Sequence, residues 1–257
     1  MEGVWRLAVL WLLALLSGCA TTPTPPRTGA VPDRLPLVFS ADDKMHWEPV
    51  QLPGKLRTAF RVQMKDERKS VQTESAASIS MLRQRLRIAP EQLGQVQFHW
   101  NVSNLIEGAD MTQRDAEDSP VRVVLAFDGD RSRFSARNAM LSELTRAMTG
   151  EDMPYAVLMY VWSNDLPVGT VITNPRTDRI RKIVVESGPQ RLQQWLHYER
   201  DVRADFALAF GESPEMLQSI AIMTDTDNTR GRTQVWYGEI RLDSLSQRSP
   251  QVRSAAN

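Results

Sequence analysis

Apolar and polar positions alternate with a period of two over much of the chain. Val96, Phe98, Trp100 and Val102 share one face of a segment, as do Val121, Val123, Leu125 and Phe127, and Phe60, Val62 and Met64 within 56–64. That spacing is the mark of a half-buried strand. Residues 155–162 (YAVLMYVW) are apolar on both faces, which predicts a strand covered on both sides. Shorter strands are predicted at 35–39, 171–172, 183–185 and 195–202, and the Ser/Thr-rich 70–82 stretch also reads as strand. Residues 82–88 (LRQRLRI) fit a strand or a helical turn, since Leu82 and Leu86 are four apart. Helical spacing of Leu141, Leu144 and Met148, followed by Gly150, predicts a helix over 138–148. Residues 205–210, closed by Gly211, predict a helical turn, and Ser213-Pro214-Glu215 reads as a helix start.

Residues 219–242 (SIAIMTDTDNTRGRTQVWYGEIRL) read as two strands joined by an acidic loop, a hairpin. Ile220, Ile222 and Thr224 share a face of the first strand; Gln234, Trp236, Gly238, Ile240 and Leu242 share a face of the second. Trp100 and Trp236, in phase with apolar neighbours, are placed in the core, together with Tyr160 and Trp162. Trp195, beside Gln193, Gln194 and His197, is the candidate exposed aromatic. Roughly eight to ten short strands without regular strand–helix alternation predict a mainly all-β, jelly-roll-like β-sandwich with one or two short helices. A Rossmann or TIM architecture is disfavoured by the same pattern.

The 257 residues suffice for a sizeable core. Basic and acidic residues number 31 each, so the basic surplus that grips nucleic acid is missing. One cysteine, Cys19, rules out a disulfide within the chain, and His46, His99 and His197 lie too far apart in sequence for ligand-like spacing.

That cysteine follows an apolar run from Leu7 to Leu16, too short to span a bilayer and of export-signal length. The run ends Leu16-Ser17-Gly18-Cys19, which resembles the bacterial lipoprotein box. The expected organisation is a signal peptide at 1–18, a lipidated Cys19 heading a Pro/Thr-rich tether to 34, a sandwich domain at 35–245 and a disordered tail at 246–257. Acyl chains on Cys19 would make the membrane a permanent partner. Ala20 after the cysteine, by resemblance to the enteric sorting rule, implies the outer membrane, facing the periplasm.

Several segments in order, HWNV at 99–102, EDSPVRVVLAFDGD at 117–130, YVW at 160–162, Trp195, ERDVRADF at 199–206, FGESP at 210–214, MTDTDNT at 223–229 and YGEIRL at 237–242, resemble an exported bacterial family, domain of unknown function 3047. The resemblance spans about 35–245 and implies location and a carbohydrate-binding-like sandwich rather than an activity. Where the family's W-x-W-K strand has lysine, His99-Trp100-Asn101 stands here, so no role of that lysine carries over.

Candidate chemistry lies in three groups. Asp225, Asp227 and Asn228 offer alternating oxygens of the kind a structural calcium takes, but without an EF-hand's glycine and closing glutamate; a turn in which they bond their own backbone is the leading reading and calcium the alternative. Glu117, Asp118 and Arg122, with Glu199, Arg200, Asp201 and Asp205, set carboxylates beside guanidinium groups, which suits ligand binding, glycan acid–base chemistry or internal ion pairs. With no nucleophile motif, no catalytic residue is assigned and an enzyme is the lesser reading. The leading expectation is a lipid-anchored, non-catalytic envelope module that binds a glycan or a protein partner. The alternatives are a structural or assembly lipoprotein and a carboxylate-based glycan enzyme.

Overall fold

The structure, a computed structural model, describes residues 31–42 and 47–244. The signal peptide, Cys19, most of the tether and the tail from 246 lie outside the described residues. The described chain begins with three short or exposed strands, β1 (Leu37–Phe39), β2 (Glu48–Gln51) and β3 (Ala59–Lys65). Four long ones follow: β4 (Arg68–Ala76), β5 (Ile79–Ile88), β6 (Leu93–Val102) and β7 (Ser119–Phe127). After helix α1 (Ala136–Thr149) come β8 (Ala156–Ser163), β9 (Val171–Thr173), β10 (Ile180–Ser187) and β11 (Leu196–Asp201). Helix α2 (Val202–Phe210), β12 (Leu217–Asp225) and β13 (Arg232–Ser244) complete it.

These strands form two sheets packed as a jelly-roll-like β-sandwich. The six-stranded sheet runs β11-β6-β13-β4-β3, with β1 also on β13. The seven-stranded sheet runs β2-β5-β12-β7-β8-β10-β9, and its β8–β10 pair is parallel. Between the sheets lie the inward residues that alternation identified: Val96, Phe98, Trp100 and Val102 of β6, Val121, Val123, Leu125 and Phe127 of β7, and Ile220 and Ile222 of β12. Tyr160 and Trp162 are buried there as expected. The seven-stranded sheet also buries its outer face, where Val124, Met159, Val161, Val184, Ala221 and Met223 form a second apolar cluster with Met111 from the preceding loop. Burial on both faces is why β7 and β8 read as nearly continuous apolar runs.

Both helices are capped by the residues the sequence supplies. Ser135 accepts from the Asn138 N–H, and Gly150 closes α1 in the left-handed region at φ 77°. Asp201 accepts from the N–H groups of Arg203 and Ala204, and Gly211 closes α2 at φ 71°.

Of the two readings of residues 82–88 the strand holds, within β5. Three expectations are corrected. Ser213-Pro214-Glu215 starts no helix but leads in extended chain to β12. Most importantly, 219–242 is not a hairpin: β12 pairs with β5 and β7, whereas β13 pairs with β4, β6 and β1 in the other sheet. The acidic loop is a crossover between sheets, and local alternation carries no information on which sheet a strand joins. Finally, Trp236 is half-buried on the outer face of the six-stranded sheet. A register shift between Tyr237 and Ile240 flips the phase of β13, so Val235, Tyr237, Ile240 and Leu242 all face the core.

Candidate functional site

The predicted site residues separate into three places. The first is a buried ionic knot where the 225–231 crossover meets the segment before β7. Asp118 is its hub. One carboxylate oxygen accepts from the Asn228 N–H and side-chain amide, both at 3.1 Å, and the other from the Thr229 N–H at 2.8 Å and hydroxyl at 2.6 Å. Burial pushes the Asp118 carboxyl up, but the donors of Thr229 and Asn228 outweigh it and hold the group below its ordinary range.

Arg122, on β7, donates to Asp225 at 2.9 Å and to the Glu117 carbonyl at 2.6 Å. Burial, against the pull of Arg122 and reinforced by Asp118 and Asp227 beside it, pushes Asp225 well above the usual carboxylate range. Asp227 is paired with Lys55. Oxygens of Asp118, Asp225 and Asp227 lie within 4.8 Å of one another.

Next to them Glu117 binds Lys182 at 2.6 Å, Arg176 at 2.8 Å and the Asn174 amide at 2.5 Å. Lys182, alternation's outward position on β10, is fully buried under the 111–117 loop. Its burial, with Arg122 nearby, lowers it to about 8 against the attraction of Glu117. Glu117 was among the carboxylates the sequence reading named, but Lys182 was not, because nothing local marks a strand lysine as covered. Four carboxylates, Glu117, Asp118, Asp225 and Asp227, thus face four cations, Lys55, Arg122, Arg176 and Lys182.

The Lys182 ammonium is charged in both folded and unfolded chain below pH about 8, and there its burial penalty is in full force. Between about 8 and 10.5 the folded form loses the proton first, so this site's contribution to stability rises with pH across that window. Lys182→Met is expected to abolish that rise. Near neutrality it should cost no more than about 1–2 kcal/mol, because Glu117 keeps Arg176 and Asn174. Urea unfolding of wild type and variant at neutral and alkaline pH checks both.

The second place is beneath α2. Arg200 grips Asp205 through two bonds, at 2.5 and 2.8 Å, and the Tyr160 hydroxyl donates to the same carboxylate at 2.9 Å. Asp205 is buried, so this group ties α2 to the core.

The third is the open face of the six-stranded sheet, which carries Glu199 and Trp195. Register places Leu196 against Trp100 and Trp236 against Asn101, so Trp195 comes level with Asn101 one position beyond its strand. Trp236 is also paired with Gln72, and Gln72 with Arg61. One row across the sheet therefore reads Trp195, Asn101, Trp236, Gln72, Arg61. Both indoles are half-buried. Asn101 is fully buried between them, and neither its amide nitrogen nor its amide oxygen has a hydrogen-bond partner; nor has the Trp195 indole nitrogen.

Trp195 lies across Gly238, where an added Cβ would come 2.9 Å from the His99 Cβ and 3.4 Å from the indole. Arg68 stands over Trp195 and Lys65 over Trp236. The neighbouring row holds His197 and His99, ring nitrogens 2.9 Å apart. Burial lowers His99, against the pull of the Glu239 carbonyl and with repulsion from His197 and Arg68. Next to Gln72 the surface dips slightly between Ala59, Arg61 and Glu74, without forming a cavity.

The chain matches the family described as protein of unknown function (DUF3047) over residues 45–241. No curated protein matches it. Among solved structures it is similar to the xyloglucanase domain of NopAA from Sinorhizobium fredii, at 10% identity and TM-score 0.42, covering 81% of this chain and 97% of that one. The xylan-binding module CBM86 from Roseburia intestinalis follows at 9% identity and TM-score 0.33, over 83% and 98%. The glycoside hydrolase domain of Endo-D from Streptococcus pneumoniae has 10% identity and TM-score 0.34 over 77% of this chain, which spans 21% of that structure.

Proposed function

We propose that this chain, which belongs to that family of unknown function, is a lipid-anchored envelope module that binds a neutral glycan on the open face of its six-stranded sheet. The observation that carries the reading is Asn101, whose amide is buried and unpaired between two half-buried tryptophans. A buried unpaired donor or acceptor costs about 1–3 kcal/mol, so such groups find partners. An amide offers one acceptor and one donor side by side, which matches two adjacent hydroxyls of a sugar ring, while indole faces take the ring's apolar C–H side. Rotation of Trp236 about its side-chain bonds opens the amide to the ligand. Arg61 ends the row and charges of both signs border it, among them Lys65, Arg68, Glu74 and Glu199, which favours an uncharged ligand.

Of the carboxylates named for glycan acid–base chemistry, Asp118 and Asp205 are committed to structural bonds on other parts of the molecule, and Glu199 stands exposed on the open face. Calcium at Asp225 and Asp227 is a competing account of the knot. We take Lys55 and Arg122 to neutralise these acids instead. Location at the outer membrane through Cys19 is part of the proposal and rests on the lipoprotein box.

Retention on a panel of immobilised neutral polysaccharides tests the reading. The wild type should be retained by at least one. Trp195→Ala and Trp236→Ala should each weaken binding at least about tenfold, or 1.4 kcal/mol, and Glu199→Gln should leave it unchanged. Failure of the wild type across the panel would remove the glycan from the proposal.

A further inference from the structure

Helix α1 is inside out. Its buried side chains are polar, Asn138 and Ser142, with Thr145 half-buried beside them. Asn138 is fixed there by Asp178 at 2.6 Å and by the Thr177 hydroxyl at 2.7 Å. Leu141, one of the positions that predicted the helix, is half-buried, but the other two look outward together with a third apolar residue: Met140 is 64% exposed, and Leu144 and Met148 are 54% exposed. At four-residue spacing these three make one stripe along the helix. Arg137 projects on the same side at 100° per residue; its hydrogen bond goes to the Pro175 carbonyl, and among the described residues no carboxylate pairs with it.

We propose that this stripe lies on the phospholipid surface to which Cys19 anchors the chain; the inference rests on the lipoprotein reading and is independent of the glycan site. Three features select lipid over a protein. The stripe offers roughly 300 Å² of apolar surface, well short of the about 800 Å² per partner that a stable protein interface buries. A weak contact suffices where a tether already holds the domain near the surface, and the steps from Cys19 to Val31 reach at most about 40 Å. An unpaired arginine beside an apolar stripe is the arrangement of interfacial helices, in which the cation rises to the phosphates while methionine and leucine enter the acyl boundary.

The test uses the lipidated chain reconstituted in vesicles of phosphatidylethanolamine and phosphatidylglycerol. Once Cys19 carries lipid, Leu144→Cys supplies the one reactive thiol, and Leu208→Cys places an equally apolar, 64% exposed position on α2 for comparison. With an environment-sensitive fluorophore, residue 144 should show blue-shifted emission and quenching by spin-labelled lipids, and residue 208 should show neither. Aqueous emission at 144 in a chain whose acylation is confirmed by mass would overturn the proposal. So would disulfide-linked dimers through residue 144 in place of quenching. An unacylated Cys19 would remove its premise, and the mass reports that separately.

Discussion

Asp118→Ala should destabilise the domain by about 3–5 kcal/mol. The carboxylate accepts four hydrogen bonds from Asn228 and Thr229, and it is buried. Its removal leaves those donors unpaired and frees the crossover that carries the chain from β12 in one sheet to β13 in the other. The effect has a pH signature. Because the folded carboxyl is held below its unfolded value, its contribution is complete above the ordinary carboxylate range and disappears as pH falls through the lowered folded value. The variant should therefore lose part of wild type's acid sensitivity. Chemical unfolding at neutral and acid pH measures both. The same protein melted in calcium and in EDTA should give coincident curves if Lys55 and Arg122 do the neutralising. A calcium shift that Asp227→Ala removes would replace that account with a metal site.

The second large effect belongs to Arg122. Arg122→Met leaves Asp225 buried beside Asp118 and Asp227 with no counter-ion on its own oxygen, and about 3–5 kcal/mol should be lost. The double variant Arg122→Met with Asp225→Leu removes both buried groups and should recover at least half of that loss, because well-packed apolar replacements of an ion pair are often neutral. Additive losses would mean that the pair is not the unit. Tyr237 limits the recovery: its hydroxyl donates to the Met223 carbonyl at 2.6 Å and accepts from the Arg122 N–H at 3.3 Å, a link between sheets that any shift of β7 disturbs.

Much of this sandwich is legible in single strands. The inward faces of β6 and β7 follow from a period of two, and the two-sided burial of β8 from its unbroken apolar run. What failed was everything set by pairing between distant segments. Residues 219–242 look like a hairpin because two alternating runs flank a polar loop; only Asp118, more than a hundred residues earlier, shows why that loop turns from one sheet to the other. Trp236 was assigned to the core because an unbroken alternation joins it to Ile240, and the shift at Gly238-Glu239 leaves no mark in a pattern of apolar residues.

The candidate site fared similarly. Trp195 was found from its polar neighbours. Its companion Trp236 and the buried Asn101 were missed, because their alignment exists only once β11, β6 and β13 lie side by side. Arg200 and Asp205 do pair, but Arg122 pairs with Asp225 and Asp118 takes the donors of Asn228 and Thr229, so these residues serve two separate internal networks. Two of the three residues that predicted the helix over 138–148, Leu144 and Met148, face outward, since spacing reports a stripe and not what covers it.

The central claim is that the row from Trp195 to Trp236 is a ligand site, and the most direct measurement follows its own polar atoms. In a nitrogen–proton correlation spectrum of the soluble domain, a neutral glycan from the panel should shift the Trp195 indole N–H, the Trp236 indole N–H and the Asn101 side-chain amide. Signals from the knot around Asp118 and Lys182, on the other sheet, should stay in place. Shifts confined to the knot, or an Asn101 amide unmoved by a glycan that saturates the protein, would contradict the account.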